Sequence, residues 1–276
     1  MSVQASPCRA VTSEEVEHLN EFGWVKLTSF VDPEVVRTML DIARERMGDD
    51  ADSNALRPGM AAAAANGKTA LSYFNAERGA GLANPVMEPL IQDIGTNAAR
   101  LMPRGAEVGI RYYSDLFVPK LPSSKASKHG GNGPTAFHQD FITFAVDRSG
   151  GMTFWLPLEA YGPDAGTMSF VNGSHRMGVL GDYTTYGGGD ALDVFPHLRE
   201  LEMSEPMTYE LGDMTVHTHL TIHGAGANQM DKPRWAYILI TQPGDVCWNG
   251  SPCPNFDHTK MKPWEPFGDG RFPRIG

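Results

Sequence analysis

The most informative segment of the sequence is DMTVHTHLTIHGAGANQMDKPRWAYILITQ, residues 213–242. Its first part alternates polar and apolar residues, which is typical of a β-strand. Side chains alternate faces along a strand, so His217, His219 and His223 would share one face if the strand is continuous. The last part, RWAYILITQ, is rich in β-branched and aromatic residues and predicts a second strand beyond a glycine-rich turn. The segment therefore indicates a β domain with several histidines on one strand.

From Val108 onward the sequence repeats this pattern of short apolar segments separated by clusters of Gly, Pro, Asp and Asn. The segments are VGIRYYSDLFV, TAFHQDFITFAV, GMTFWLPL, GTMSFV and MTYEL. Many short strands with such breaks indicate a β-sandwich or a closed barrel. Residues 243–276 are rich in Pro, Trp and Phe without periodicity, which predicts an irregular segment packed on the domain.

The N-terminal part has helical periodicity instead. Thr12 and Glu15 have the spacing of a capping box, and Asp32-Pro33 is a favourable start for a second helix that continues to Met47. A third helix is predicted from about Pro85 to Leu101. We expect one domain over residues 1–276, with three parts: helical support over about 12–101, a strand-rich core over about 108–242, and the irregular segment 243–276.

Composition limits the classes of partner. The formal net charge is −10 and the pI is about 5.3, which argues against a nucleic-acid partner and favours a small-molecule substrate. The three cysteines are scattered and predict neither a disulfide framework nor a cysteine zinc site. No apolar run approaches the roughly 18 residues of a membrane span. We therefore expect a cytoplasmic protein without a membrane partner, and nothing in the sequence predicts its oligomeric state.

A candidate metal site begins in TAFHQDF, residues 135–141. In an extended strand His138 and Asp140 would point the same way and converge. Any histidine of the 213–242 segment could complete a set of one carboxylate and two imidazoles, which is typical of non-heme Fe(II) oxygenases. The three histidines of that segment could equally form a zinc cluster or a polar strand face. From the residues alone, these alternatives stay open.

Arg234 adds a second feature, because it follows His223 across the turn GAGANQMDKP and begins the next strand. An antiparallel return would bring its guanidinium into the same cavity, where it could pair with a carboxylate through two hydrogen bonds. A metal with open positions and a nearby buried arginine fit a dicarboxylate co-substrate. Such a molecule would chelate the metal at one end and pair with Arg234 at the other.

Three segments together resemble the phytanoyl-CoA dioxygenase-like family of Fe(II)/2-oxoglutarate-dependent oxygenases: FHQD (137–140), FWLPLEAYGPDAGTMSFVNGSH (154–175) and GDMTVHTHLTIHGAGANQMDKPRW (212–235). The resemblance implies a mainly β fold, with a double-stranded β-helix (jelly-roll, cupin-like) core and flanking N-terminal helices. It also implies an enzyme that uses Fe(II), 2-oxoglutarate and O2. Such an enzyme converts 2-oxoglutarate to succinate and CO2 while it hydroxylates, or otherwise oxidises, an unactivated C–H bond of a small organic substrate.

The resemblance also assigns residues. It implies that iron is bound by His138, Asp140 and His223. It implies that Arg234 binds the distal carboxylate of 2-oxoglutarate and that Trp155 forms part of the wall of the co-substrate site.

One position departs from the family pattern, because Ala225 stands where many members carry a serine that touches the co-substrate. Thr135 or Thr221 is expected to replace that contact. The chain also has two glycine-rich loops beside the predicted site, at 121–134 and 179–195, which are expected to order over the substrate.

Two other functions compete with this interpretation. A zinc-dependent, cupin-like hydrolase or isomerase would use His217, His219 and His223, and would be indifferent to Arg234. A non-catalytic jelly-roll binding module would bind a ligand without forming succinate.

Overall fold

The computed structural model of the protein describes residues 6–51, 81–125, 133–181, 189–252 and 258–276. Its helices are α1 (Ser13–Phe22), α2 (Pro33–Met47), α3 (Met87–Leu101) and the single turns α4 (Gly105–Val108) and α5 (Ala191–Val194). The strands are β1 (Trp24–Leu27), β2 (Ile110–Phe117), β3 (Thr135–His138), β4 (Met152–Pro157), β5 (Met168–Phe170), β6 (Met214–Thr218), β7 (His223–Ala225), β8 (Ala236–Pro243) and β9 (Arg274–Ile275).

The predicted helix starts are present. The Thr12 hydroxyl accepts a hydrogen bond from the Glu15 N–H, and the Glu15 carboxylate accepts one from the Thr12 N–H, which completes the capping box. Asp32 caps α2 by accepting a hydrogen bond from the Glu34 N–H, and Pro33 is the first helical residue. The third helix, α3, begins at Met87, close to the predicted Pro85.

The strands form two antiparallel sheets. The larger sheet has six strands in the order β1-β6-β4-β8-β2-β9, and the smaller has three in the order β3-β7-β5. In both sheets, many spatial neighbours are distant in sequence, as in Greek-key and jelly-roll proteins. The mainly β, jelly-roll fold predicted from the sequence is confirmed.

The two faces of the larger sheet differ in character. On one face, Phe154, Val216 and Leu239 pack against apolar side chains of α2 and α3, including Val36 and Ile94. Since side chains alternate along each strand, the residues between them point to the opposite face. That face presents Thr153, Trp155 and His217, so the helices cover the apolar side and leave the polar side for a site.

The segment 213–223 is not one continuous strand, contrary to the assumption made from the sequence. β6 ends at Thr218, the Thr221 N–H donates to the Thr218 carbonyl in a turn, and His223 then begins β7 in the other sheet. The Thr221 hydroxyl fixes this turn by donating to the Gly23 carbonyl. The segment therefore carries the chain from one sheet to the other, and His217 and His223 lie in different sheets.

Two further strand predictions are wrong in detail. The strand of TAFHQDF ends at His138, and Asp140 opens a 3₁₀ turn, Asp140–Thr143, in which the Thr143 hydroxyl donates to the Asp140 carbonyl. The segment MTYEL forms an isolated bridge between Tyr209 and Tyr161 rather than a strand.

The segment after β8 closes one end of the larger sheet. Phe267 and Phe272 stack on Tyr113 of β2, and β9 then pairs with the start of β2. Buried Arg111 holds this segment by donating to the carbonyls of Gly244 and Phe272. This packing places an aromatic wall beside Phe144, which in turn contacts the ring of His219.

The two glycine-rich loops that are expected to order over the substrate lie partly outside the described residues, at 126–132 and 182–188. Within the described part of the chain, none of the helices combines the length and apolar character that crossing a membrane requires.

Candidate active site

His138, Asp140 and His223 converge on one point between β3 and β7. These strands are antiparallel neighbours with His138 directly opposite His223, and Asp140 reaches back from the turn that follows β3. Asp140 Oδ1 lies 3.4 Å from His138 Nε2 and 3.7 Å from His223 Nε2. One ligand atom from each residue lies within 4.8 Å of the others, which is close enough for the three to bind one metal ion.

The two imidazoles are held in the tautomer that a metal requires. Nδ1 of His138 lies 2.7 Å from the Ala136 carbonyl, and Nδ1 of His223 lies 3.1 Å from the Thr221 carbonyl. A carbonyl only accepts hydrogen bonds, so each Nδ1 carries the proton and each Nε2 offers a lone pair. The three side chains keep exposed fractions of 11% (His138), 15% (Asp140) and 7% (His223), so the point they share is largely shielded from solvent.

The local electrostatics favour the metal-binding forms of Asp140 and His223. Burial alone would raise the pKa of Asp140, but its interactions with the surrounding imidazoles of His223, His138 and His217 hold that pKa well below its ordinary value. Burial, with repulsion from His217 and His138, holds the pKa of His223 well below its ordinary value. Asp140 is therefore an anion, and His223 is a neutral imidazole with a lone pair on Nε2. These are the forms that bind a metal cation.

The other two histidines of the segment have different surroundings. Nε2 of His217 lies 3.2 Å from Asp140 Oδ2, the oxygen that faces away from the shared point. His219 packs against Phe144, with ring centroids 4.5 Å apart, and burial lowers its pKa to about 4. Neither His217 nor His219 belongs to the group that could hold a metal. The structure therefore distinguishes His223 from the two histidines that strand parity placed on the same face.

Arg234, the arginine that begins the segment after the glycine-rich turn, is buried and 4% exposed. Its guanidinium stacks over the Trp155 ring at 5.1 Å and donates one hydrogen bond to the Gly166 carbonyl. Among the described residues, no carboxylate pairs with Arg234, and its Nε has no hydrogen-bond partner. Burial lowers the pKa of Arg234 to about 10, so it remains a cation. A buried cation without a counter-ion is costly, which indicates a site for an anion.

Lys120 lies beside Arg234 and was not identified from the sequence. Its backbone N–H and carbonyl pair with those of Arg234, and its side chain is 1% exposed. The ammonium donates to the Thr135 hydroxyl at 3.1 Å and to the Gly226 carbonyl at 2.6 Å. Burial, with repulsion from Arg234, lowers the pKa of Lys120 to about 6. A lysine between apolar residues in FVPKLP was the one available sign of burial.

The sequence profile of the phytanoyl-CoA dioxygenase (PhyH) family matches residues 19–236, a range that contains the converging triad, Lys120 and Arg234. The chain belongs to the phytanoyl-CoA dioxygenase family. The resemblance predicted from the sequence is therefore confirmed, and the protein is an oxygenase of the non-heme iron, 2-oxoglutarate-dependent class.

Solved structures share this family fold. The α-ketoglutarate-dependent carbocyclase SnoK from nogalamycin biosynthesis is 22% identical, with a TM-score of 0.70 over 96% of this chain and 97% of that chain. The epimerase SnoN, in complex with Fe3+, α-ketoglutarate and nogalamycin RO, is 20% identical, with a TM-score of 0.66 over 94% and 96%. EctD from S. alaskensis with bound Fe is 16% identical, with a TM-score of 0.60 over 86% and 81%. None of the curated proteins matches the sequence.

The structure separates the two threonines expected to compensate for Ala225 in this member of the PhyH family. Thr135 pairs with Ala225 across β3 and β7, and its hydroxyl accepts the hydrogen bond from Lys120. Thr221 instead donates to the Gly23 carbonyl at 2.6 Å. Gly23 has φ +85°, and a Cβ there would lie 2.6 Å from the Thr221 hydroxyl. Thr221 therefore anchors the turn, and Thr135 is the threonine beside the anion site.

Proposed function

We propose that His138, Asp140 and His223 hold one Fe(II), and that Arg234 and Lys120 bind the distal carboxylate of 2-oxoglutarate. In this proposal the enzyme hydroxylates, or otherwise oxidises, an unactivated C–H bond of a small organic substrate. The observation that carries it is the combination of the converging triad with two buried basic side chains, Arg234 and Lys120, that have no described carboxylate partner. A zinc hydrolase would have no use for those two basic side chains.

Each residue has a stated task in this proposal. The two Nε2 atoms and Asp140 Oδ1 would hold the metal, and a set of three protein ligands would leave further coordination positions free. When bound, Fe(II) provides those positions for the 2-oxo acid and O2 and supplies the oxidising chemistry. Arg234 offers a planar pair of N–H donors to the far carboxylate, and Trp155 covers one face of the guanidinium. Burial excludes water and strengthens these interactions.

We infer that the substrate is a small organic molecule and that the reaction takes place in the cytoplasm. SnoN was solved in complex with nogalamycin RO, which supports a small-molecule substrate for this chain as well. Hydroxylation is the default outcome for this class. The structural relatives include a carbocyclase and an epimerase, so the fold is compatible with other oxidative outcomes.

Succinate formation tests this function. The protein is loaded with Fe(II) without O2, mixed with 2-oxoglutarate, and exposed to O2 in the presence of a panel of small molecules. We expect succinate that depends on Fe(II), 2-oxoglutarate and O2, with the true substrate accelerating its release. Asp140→Ala is the matched control and should form none. Turnover supported by zinc without 2-oxoglutarate would favour the hydrolase, and 2-oxoglutarate binding without succinate would favour the binding module.

A second test concerns Lys120. Binding of a carboxylate raises the pKa of Lys120 above its value of about 6 in the free protein. Near neutral pH the metal-loaded protein should therefore take up close to one proton per 2-oxoglutarate. The affinity should fall as pH rises above about 6, because the protonated form becomes rarer in the free protein. Anaerobic titration calorimetry in buffers of different ionisation enthalpy measures this uptake.

Lys120→Met provides the control for that titration, since methionine keeps much of the side-chain volume and cannot titrate. The variant should bind 2-oxoglutarate more weakly and take up no proton. If it takes up as many protons as the wild type, Lys120 is not the group that titrates.

A further inference from the structure

The two oxygens of Asp140 have separate surroundings. Oδ1 faces His138 and His223, whereas Oδ2 accepts hydrogen bonds from the Thr153 hydroxyl at 2.7 Å and from His217 Nε2 at 3.2 Å. Thr153 and His217 are buried and directly opposite each other on β4 and β6. Two side chains of the larger sheet therefore donate to Oδ2 of Asp140, a residue that follows β3 of the smaller sheet.

This arrangement limits how Asp140 can bind a metal. A carboxylate oxygen has two favourable lone-pair directions, and at Oδ2 both are used by the two donors. A carboxylate can bind a metal through one oxygen or through both, and the second mode uses an additional coordination position. With Oδ2 occupied, Oδ1 is the oxygen left for the metal.

We propose that Thr153 and His217 are positioning residues that fix Asp140 as a ligand through Oδ1 alone. This inference rests on the proposed function, in which Asp140 binds Fe(II). Its consequence is that the position a second carboxylate oxygen would take stays available for 2-oxoglutarate or O2. The pair also holds the carboxylate in place before the metal arrives, because the turn that carries Asp140 is not part of a sheet.

The contacts of the two residues support this task over simple core packing. A carboxylate accepts only, so His217 carries its proton on Nε2, and its Nδ1 has no hydrogen-bond partner among the described residues. The contact to Asp140 is thus the one hydrogen bond that the described structure gives this ring, which also lies 4.1 Å from the His223 ring, between centroids. Thr153 has paired strands on both sides, opposite His217 and Ile240, which fixes the backbone from which its hydroxyl reaches Asp140.

Metal affinity and spectroscopy test the proposal without relying on turnover. The probe is Co(II), a spectroscopically visible stand-in for Fe(II), added to the full chain in competition with a chelator. Thr153→Val and His217→Phe remove one donor each while keeping similar volume. Each should weaken Co(II) binding by about 10- to 100-fold, change the electronic spectrum of bound Co(II), and weaken 2-oxoglutarate binding to the Co(II)-loaded protein.

Conservative and matched variants separate positioning from structural damage. Thr153→Ser and His217→Gln keep a donor near Oδ2 and should restore much of the affinity and the wild-type spectrum. His219→Phe changes an equally buried histidine of the same segment that has no hydrogen bond to Asp140, and should leave both readouts unchanged. Thr153→Val is nearly isosteric, so it decides the matter if His217→Phe does not fold.

The inference is overturned if Thr153→Val and a folded His217→Phe keep the wild-type Co(II) affinity and spectrum. His138→Ala and His223→Ala identify which proposal has failed. If these two lose Co(II) while the donor variants do not, the positioning role is wrong and the iron site stands. If these two also bind like the wild type, the proposed iron site itself is wrong.

Discussion

His223→Ala is expected to abolish stable Fe(II) binding and 2-oxoglutarate turnover, whereas His219→Ala is expected to keep Fe(II) affinity near the wild-type value. His223 Nε2 is one of three converging ligand atoms, and its removal leaves a two-residue site. Because loss of a supporting contact alone typically costs 10- to 100-fold in metal affinity, loss of a ligand should cost more than about 100-fold. His219 lies on the same segment but packs on Phe144.

The measurement is the Fe(II) dissociation constant under anaerobic conditions, with succinate formation assayed in parallel. Asp140→Ala should lose both as well, since it removes the anionic ligand of the triad and leaves the donors of Thr153 and His217 unpaired. If His219→Ala abolishes metal binding and His223→Ala does not, the ligand set is wrong, and a histidine cluster of the zinc type becomes the better interpretation.

The fold was predictable from local signals. Caps at Thr12 and Asp32 marked two helices, and the change of period after Val108 marked the strands. The strand period also distinguishes the two faces of the larger sheet, since Thr153 and His217 alternate with apolar neighbours that face the helices. Such patterns depend on neighbours in the sequence, which is why they could be interpreted without knowing the tertiary contacts.

The geometry of the site was less predictable. Strand parity predicted that His138 and Asp140 converge, and they do, but a turn after β3 brings them together. Parity also made His217 and His223 equivalent, whereas the turn fixed by Thr221 and Gly23 sends them to different sheets. That turn depends on a contact between distant parts of the chain, which a sequence pattern does not contain.

Lys120 shows the same limit for electrostatics. Despite its apolar neighbours Pro119 and Leu121, a lysine at the end of a strand is expected to be exposed, because an unpaired ammonium is rarely buried. Its burial follows from backbone pairing with Arg234, and the sequence places these residues far apart. The site for an anion is therefore formed by tertiary contacts. The sequence identified Arg234 but not the second basic residue, Lys120, beside it.

Arg234→Ala is expected to raise the 2-oxoglutarate concentration needed for turnover more than any other change in the anion site. If Arg234 binds the far carboxylate, its removal leaves that carboxylate buried without its main partner. This typically costs about 3–5 kcal/mol, or roughly a few hundred- to a few thousand-fold in affinity. Lys120 remains and retains part of the attraction, which places the expected loss toward the lower end of that range.

Arg234→Lys should lie between the alanine variant and the wild type. Lysine keeps the charge but loses the planar pair of donors and the stacking over Trp155. Fe(II) affinity should barely change in either variant, because Arg234 is not among the converging ligands. Lys232→Ala is the matched control: it removes a positive charge from the same turn, at a side chain that is 54% exposed and paired with Glu159.

The measurement is the 2-oxoglutarate dependence of succinate formation, with iron content determined on the same samples. An Arg234→Ala enzyme with wild-type 2-oxoglutarate dependence and full iron content would remove the dicarboxylate from the proposed function while leaving the metal site intact. A variant that loses iron as well would show that metal binding by the triad depends on Arg234. We expect the variant to keep its iron, because Trp155 and Gly166 hold the guanidinium independently of any metal ligand.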